Sequence, residues 1–238
     1  TANGVTLDLG GYTVIYNNVD NQVADEQMST SAFGVFADYQ SDVKVLNGTI
    51  RQGKGYNYGS QGSYGYSPVN LYACTGSTEV AGIWAEFQGS SVSGIMMSYP
   101  GSTASVHHNV ILDRGGELRN RHQGQRAIAA PVVHHNLVLR HRHRGVEISN
   151  NGSTIYDNEL YGDSVATNGY SILSYDKDNV TVYGNRCFGT GYMLVGLGTI
   201  ASCTYNELYD NLVHLQANEN DLRWPEYGPM SWACGTRI

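Results

Sequence analysis

The sequence predicts an all-β fold in which short parallel strands wind into a single coil. Three observations carry that prediction. A four-residue pattern ending in Asn recurs at near-constant spacing, apolar residues alternate with a period of two, and hardly any helical stripe outlasts one turn.

The recurring pattern reads apolar-x-x-Asn. It occurs as Val106–Asn109, Val133–Asn136, Ile155–Asn158, Val182–Asn185 and Leu208–Asn211, so that the Asn residues stand 27, 22, 27 and 26 apart. A weaker copy, Val45-Leu46-Asn47-Gly48, has Gly at the Asn position. A second similarity, Gly34–Gln40 against Gly82–Gln88, spans 48 residues and reads as about two periods. Each period holds short β-branched runs such as Val180-Thr181-Val182-Tyr183, broken by Asn, Gly and Asp. Three strands per period, stacked in parallel, make a coil. A β-sandwich or jelly roll also has short strands and many glycines, but it does not require Asn at constant spacing. In a coil the Asn has two roles: its amide bonds the amides of neighbouring rungs, and Asn tolerates the left-handed backbone of a tight corner.

The opening Gly4-Val5-Thr6-Leu7-Asp8-Leu9-Gly10-Gly11-Tyr12-Thr13-Val14-Ile15 resembles the early rung of right-handed parallel β-helix proteins, the pectin-lyase-like superfamily, and the Asn ladder resembles its generic repeat. The resemblance covers nearly the whole chain and speaks to fold rather than reaction. It implies one single-stranded right-handed parallel β-helix over residues 1–238, of about nine to ten rungs, with a Gly/Tyr-rich surface loop at 53–66 and another near Trp224–Pro229. Three sequence features of particular enzymes are missing: the paired Asp of polygalacturonases, the Arg-x-Pro-x-x-Arg of pectate lyases and the Asp-His-x-His of alginate epimerases.

The 238 residues suffice to bury a core without metals or disulfides, and 15% charged residues argue against a coiled coil or a charged disordered tail. No run is long and apolar enough to span a membrane. The start, Thr1-Ala2-Asn3, has no initiator Met and no leader pattern, and reads as a trimmed chain or a fragment. Four cysteines, Cys74, Cys187, Cys203 and Cys234, lack CxxC spacing and leave three disulfide connectivities open. Sequons at Asn47, Asn151 and Asn179 would accept glycans in a eukaryotic secretory setting, and an extracellular or cell-surface location is expected.

Alternation places Val180 and Val182 inside and Thr181 and Tyr183 outside. Carried along the ladder, it predicts an outward column of His107, His134, Tyr156, Tyr183 and Tyr209. Beside it runs a corner column of His108, His135, Asp157, Gly184 and Asp210. Outward Tyr suits strand propensity alone, and it also suits a platform on which sugars stack.

Charge is the main functional clue. Seven of the eight His and seven of the 14 basic residues, all Arg, lie between residues 107 and 144, opposed only by Asp113 and Glu117. That band carries a formal +5, while the rest of the chain carries −12. Guanidinium grips a carboxylate with two parallel hydrogen bonds, and His exchanges protons near neutral pH. The set suits β-elimination on a uronate-containing polysaccharide. In that reading His107, His134 and His135 are acid/base candidates. Arg142, with Arg114, Arg140 and Arg144, grips carboxylates, Tyr156 stacks sugar or protonates the leaving group, and Tyr183 binds sugar. A loop such as Arg140–Gly145 can equally be a solvated turn. The four stacked imidazoles are also close enough to share a metal ion, although their spacing matches no metal signature, so no metal is assigned. The resemblance covers lyases with and without calcium and leaves calcium open. Nucleotide and nucleic-acid sites are not expected, given no phosphate-loop motif and net charge −7. The competing expectation is a non-catalytic rod or adhesin that associates end to end into filaments.

Overall fold

The computed structural model describes residues 3–18, 32–55, 57–58, 67–90, 92–114, 126–162, 170–175, 177–189, 192–197, 206–215, 230–232 and 236–237. Among them there is no α-helix, and every strand is paired in parallel, in a 15-stranded sheet, an 8-stranded sheet and a 2-stranded pair formed by Asn57–Tyr58 and Gly89–Ser90. Parallel pairing throughout excludes the sandwich, whose hairpins are antiparallel.

Three ladders run through the structure, and successive members of each lie three strands apart in the chain. The first is built from Ser105–His107, Val132–His134, Thr154–Tyr156, Thr181–Tyr183 and Asn206–Tyr209. The second comprises Val110–Asp113, Leu137–His141, Glu159–Gly162, Arg186–Gly189 and Leu212–Leu215. The third includes Ser93–Ser98, Arg126–Ala130, Arg144–Ile148, Tyr170–Tyr175 and Tyr192–Leu197. The nine-residue strands Lys44–Gln52 and Glu79–Phe87 cross the corner unbroken and join the first two ladders into one sheet.

Each ladder turns one apolar column inward, as period-two alternation requires. Val106, Val133, Ile155 and Val182 are fully buried in the first, Ile111, Val138, Leu160 and Cys187 in the second, and Ile95, Ile128, Val146 and Ile172 in the third. All belong to one hydrophobic cluster. Burial of such side chains contributes about 1.5–3 kcal/mol each.

The corner between the first and second ladders has a fixed construction. The residue before each Asn takes the left-handed conformation: His108, His135, Asp157, Gly184 and Asp210 have φ of 55°, 53°, 51°, 63° and 53°. The Asn that follows does not share it. Left-handed backbone was expected of the Asn itself, and none of the five adopts it; in the weaker copy Asn47 stands at the corner position before Gly48 and is left-handed there, with φ 54°. The Asn serves instead as a buried hydrogen-bonding post. Asn136 Oδ1 accepts from Asn109 N at 3.1 Å and Asn109 Nδ2 at 3.0 Å, while Asn136 Nδ2 donates to Val106 O and Asn158 Oδ1. The pattern continues through Asn158 and Asn185 to Asn211. A turn that buries backbone amides and carbonyls must satisfy them, and the carboxamide carries both a donor and an acceptor.

The 48-residue similarity does not mark two periods. Val35–Asp38 pairs with Val69–Tyr72 in the third ladder, whereas Ile83–Phe87 extends the second. Alternation alone does not say which face a strand occupies. Of the predicted 53–66 loop only Gly53–Gly55 and Asn57–Tyr58 are described, and Trp224–Pro229 lies outside the described residues. Cys74 and Cys187 are buried free thiols, while Cys203 and Cys234 lie outside the described residues. No helix among the described residues is long and apolar enough to cross a membrane.

Candidate functional site

The first ladder carries one continuous stack of rings on its outer face. His107 lies 4.7 Å from His134, His134 4.6 Å from Tyr156, Tyr156 5.0 Å from Tyr183, and Tyr183 5.0 Å from Tyr209, with interplanar angles of 10° or less. The cause is the parallel register, His107 opposite His134 opposite Tyr156 opposite Tyr183, at a strand spacing that falls in the range of centroid separations of stacked rings. Stacking has a consequence for the predicted sugar platform. The faces of His134, Tyr156 and Tyr183 are covered by their neighbours on both sides, so along its middle the row offers ring edges rather than apolar faces.

The corner column adds two more imidazoles. His108 stacks on His135 at 4.9 Å, and each stands nearly perpendicular to its chain neighbour. His107 Nδ1 and His108 Nδ1 are 2.9 Å apart, and His134 Nδ1 and His135 Nδ1 3.0 Å. Glu79 anchors the array from the strand below. Its Oε1 lies 2.9 Å from His107 Nε2, and Lys44 Nζ donates to its Oε2 at 2.8 Å. Lys44 foremost, with His107 adding and burial opposing, holds the Glu79 carboxyl below the usual carboxylate range. Asp157 Oδ2 stands 3.8 Å from His135 Nε2.

These contacts set proton affinities. Burial, then the neighbouring imidazoles of His107, His135 and His108, push His134 down to about 4, so it is neutral at neutral pH. Burial, then the charges of Tyr183 and Asp157, raise Tyr156 above the ordinary phenol value, so it keeps its proton.

The structure thus brings His107, His134, His135, Tyr156 and Tyr183 onto one face. It does not bring the arginines there. Arg142 is mostly buried and grips Asp113 with two bonds, Nε to Oδ2 at 2.7 Å and Nη2 to Oδ1 at 2.9 Å. Arg144 bonds Glu147, which Arg126 also reaches at 2.7 Å. Arg114 donates from Nη2 to the carbonyl of Gln52 at 2.6 Å. Arg140 is exposed, with φ 62°, at a register shift between Val138 and His141. It follows Asn136 by four residues, roughly 13 Å of strand from the corner. His141 and His143 are buried, and His122, Arg119 and Arg121 lie outside the described residues.

Glu79 and His108 are members of the site that the candidate set omitted. His108 was visible in the corner column. Glu79 was not, because its strand lacks the Asn pattern and it reaches His107 diagonally, from opposite Ser105. The sequon residues Asn47, Asn151 and Asn179 are all exposed. Asn47 Nδ2 bonds the Asp8 carboxylate at 3.3 Å, and Asn151 Oδ1 accepts from Asp178 N at 3.2 Å.

No protein-family model, curated protein or solved structure matches this chain.

Proposed function

We propose that the chain is a right-handed parallel β-helix of the pectin-lyase-like kind, with about nine to ten rungs, that works outside the cell on an acidic, uronate-containing polysaccharide by β-elimination. The observation that carries this reading is the unbroken row of hydrogen-bonding ring edges, His107 to Tyr209, along an exposed parallel ladder. A glycan laid along the ladder axis meets the ring edges of His134, Tyr156, Tyr183 and Tyr209 in turn, while both nitrogens of His107 are held by His108 and Glu79. The solenoid reading rests on the three-strand recurrence of the ladders and the single core between them.

In this chemistry a base removes the proton next to the uronate carboxylate, the C–O bond to the neighbouring sugar breaks, and an acid protonates the departing oxygen. The carbon–carbon double bond that forms stays in the product. His134, neutral at neutral pH, or His135 beside it takes the proton from carbon, and Tyr156, which is protonated at neutral pH, donates its proton to the leaving oxygen. Arg140 stands too far along the second ladder to meet the carboxylate of the reacting sugar, and suits that of a neighbouring one. Arg114, Arg142 and Arg144 act in this reading by holding the turns rather than by touching substrate.

The test is ultraviolet absorbance of the unsaturated uronate during incubation with a panel of uronate polysaccharides, with and without calcium. A rising signal that Tyr156→Phe and His134→Gln each lower at least tenfold supports the lyase. A flat trace across the panel overturns it.

A second reading has its own observation. Among the described residues of the basic band that suggested substrate binding, three arginines are engaged in internal pairs, Arg142 with Asp113 and Arg126 and Arg144 with Glu147, as in a rigid rod. Filaments in electron micrographs of a protein inactive on every polysaccharide would favour that alternative.

A further inference from the structure

The four imidazoles of the corner form a compact array. His107 and His134 stack within 8° of parallel, as do His108 and His135, and the two columns meet at 87°. Ligand atoms of His107, His108 and His134 all lie within 4.8 Å of one another. We propose that these three imidazoles bind a divalent transition ion of the copper(II) or nickel(II) type on the exposed face, with His135 at its edge.

The Nδ1 separation favours this class of ion. At metal–nitrogen bonds of about 2.1 Å, ligands at a right angle stand about 3.0 Å apart and tetrahedral ones about 3.4 Å. His107 and His108 already stand 2.9 Å apart, the spacing of two neighbouring ligands in a tetragonal site. The ligand atom of His134, one step along the ladder, lies within 4.8 Å of the other two, and coordination draws that ring toward them. Water fills the other positions, because the site opens to solvent.

Carboxylates provide the orienting contacts that such ligands use. Glu79 accepts from Nε2–H of His107, which leaves Nδ1 of that ring with its lone pair toward the site. Asp157 stands in the same relation to His135, at a longer 3.8 Å. With Nε2–H of His107 directed at Glu79, the hydrogen between the two Nδ1 atoms is assigned to His108 in the metal-free protein. On binding, that proton passes to Nε2 of His108 through solvent, and the freed lone pair takes the ion. The two carboxylates offset the positive charge brought in.

The inference does not depend on the polysaccharide reading, and its experiment measures metal rather than turnover. Purified chain without an affinity tag is titrated calorimetrically with copper(II) or nickel(II), and the copper form is examined by electron paramagnetic resonance. One ion per chain is expected, with nitrogen couplings from coordinated imidazole. His108→Asn, which suits the left-handed corner, and His134→Phe, which keeps a ring in the stack, should each weaken binding at least tenfold. Glu79→Gln should weaken it by about 10–100-fold through the lost orienting contact. Tyr183→Phe should bind as the parent does, and circular dichroism confirms that each variant is folded. Absence of binding at micromolar metal, or folded His108→Asn and His134→Phe proteins with parental affinity, overturns the proposal.

Discussion

Asn158 Oδ1 accepts two hydrogen bonds from Asn136, one from the backbone N–H at 3.0 Å and one from Nδ2 at 2.9 Å. Its own Nδ2 donates to Val133 O, Tyr156 O and Asn185 Oδ1. One buried carboxamide therefore ties three successive turns of the chain together.

Replacing Asn158 with Ala leaves buried donors and acceptors on both sides unpaired. At about 1–3 kcal/mol for each unsatisfied group, the loss should be about 3 kcal/mol or more. Urea unfolding of Asn158→Ala should show a large drop in midpoint. Tyr183→Phe, which changes only an outward ring edge, should stay within about 0.5 kcal/mol of the parent.

The pair formed by Arg142 and Asp113 makes a separate prediction. With Asp113 almost wholly buried, removing the cation takes two charge-assisted bonds from an interior carboxylate, and breaking such a buried pair costs about 3–5 kcal/mol. Arg142→Ala should unfold at markedly lower temperature, and Arg142→Lys should recover little of the loss, because one ammonium cannot make both bonds. Melting temperatures in a scanning calorimeter decide it.

Acid should weaken the fold through His134. Its folded value of about 4 lies below the unfolded value of about 6.5, so the unfolded chain binds the proton first. The contribution is intact above about pH 6.5 and is lost progressively as pH falls toward 4. In a chelating buffer, His134→Phe should show a shallower decline in stability across that window than the parent. An unchanged slope would mean that other groups carry the acid sensitivity.

Burial pushes the Cys187 thiol up to about 12, in the inward column of the second ladder, and Cys74 is also raised, mainly by burial. Both should resist alkylation in the folded protein at mildly alkaline pH and react at once after denaturation. Peptide mapping by mass spectrometry distinguishes these two sites from the other cysteines.

Much of this molecule was legible from residue order, for a physical reason. A parallel ladder repeats one environment at each step, so an environment that demands Asn, an inward Val or an outward ring writes the same residue into the chain every 22–27 positions. Hence the all-β class, the Asn ladder and the members of the outer ring column followed from spacing and alternation alone. What the rings present to solvent did not. That depends on a strand separation that matches the centroid spacing of stacked rings, which turns five outward side chains into one stack whose inner members present their edges.

The fate of the charges likewise belonged to the tertiary structure. Sequence counted a band of +5 and an acidic remainder, but Asp113 lies 29 residues before Arg142, and Glu79 28 before His107. Each pair meets only because successive turns of chain lie side by side. Local order set which residues face outward, while the stacking of distant strands decided which are already held by a partner and which remain available to a ligand.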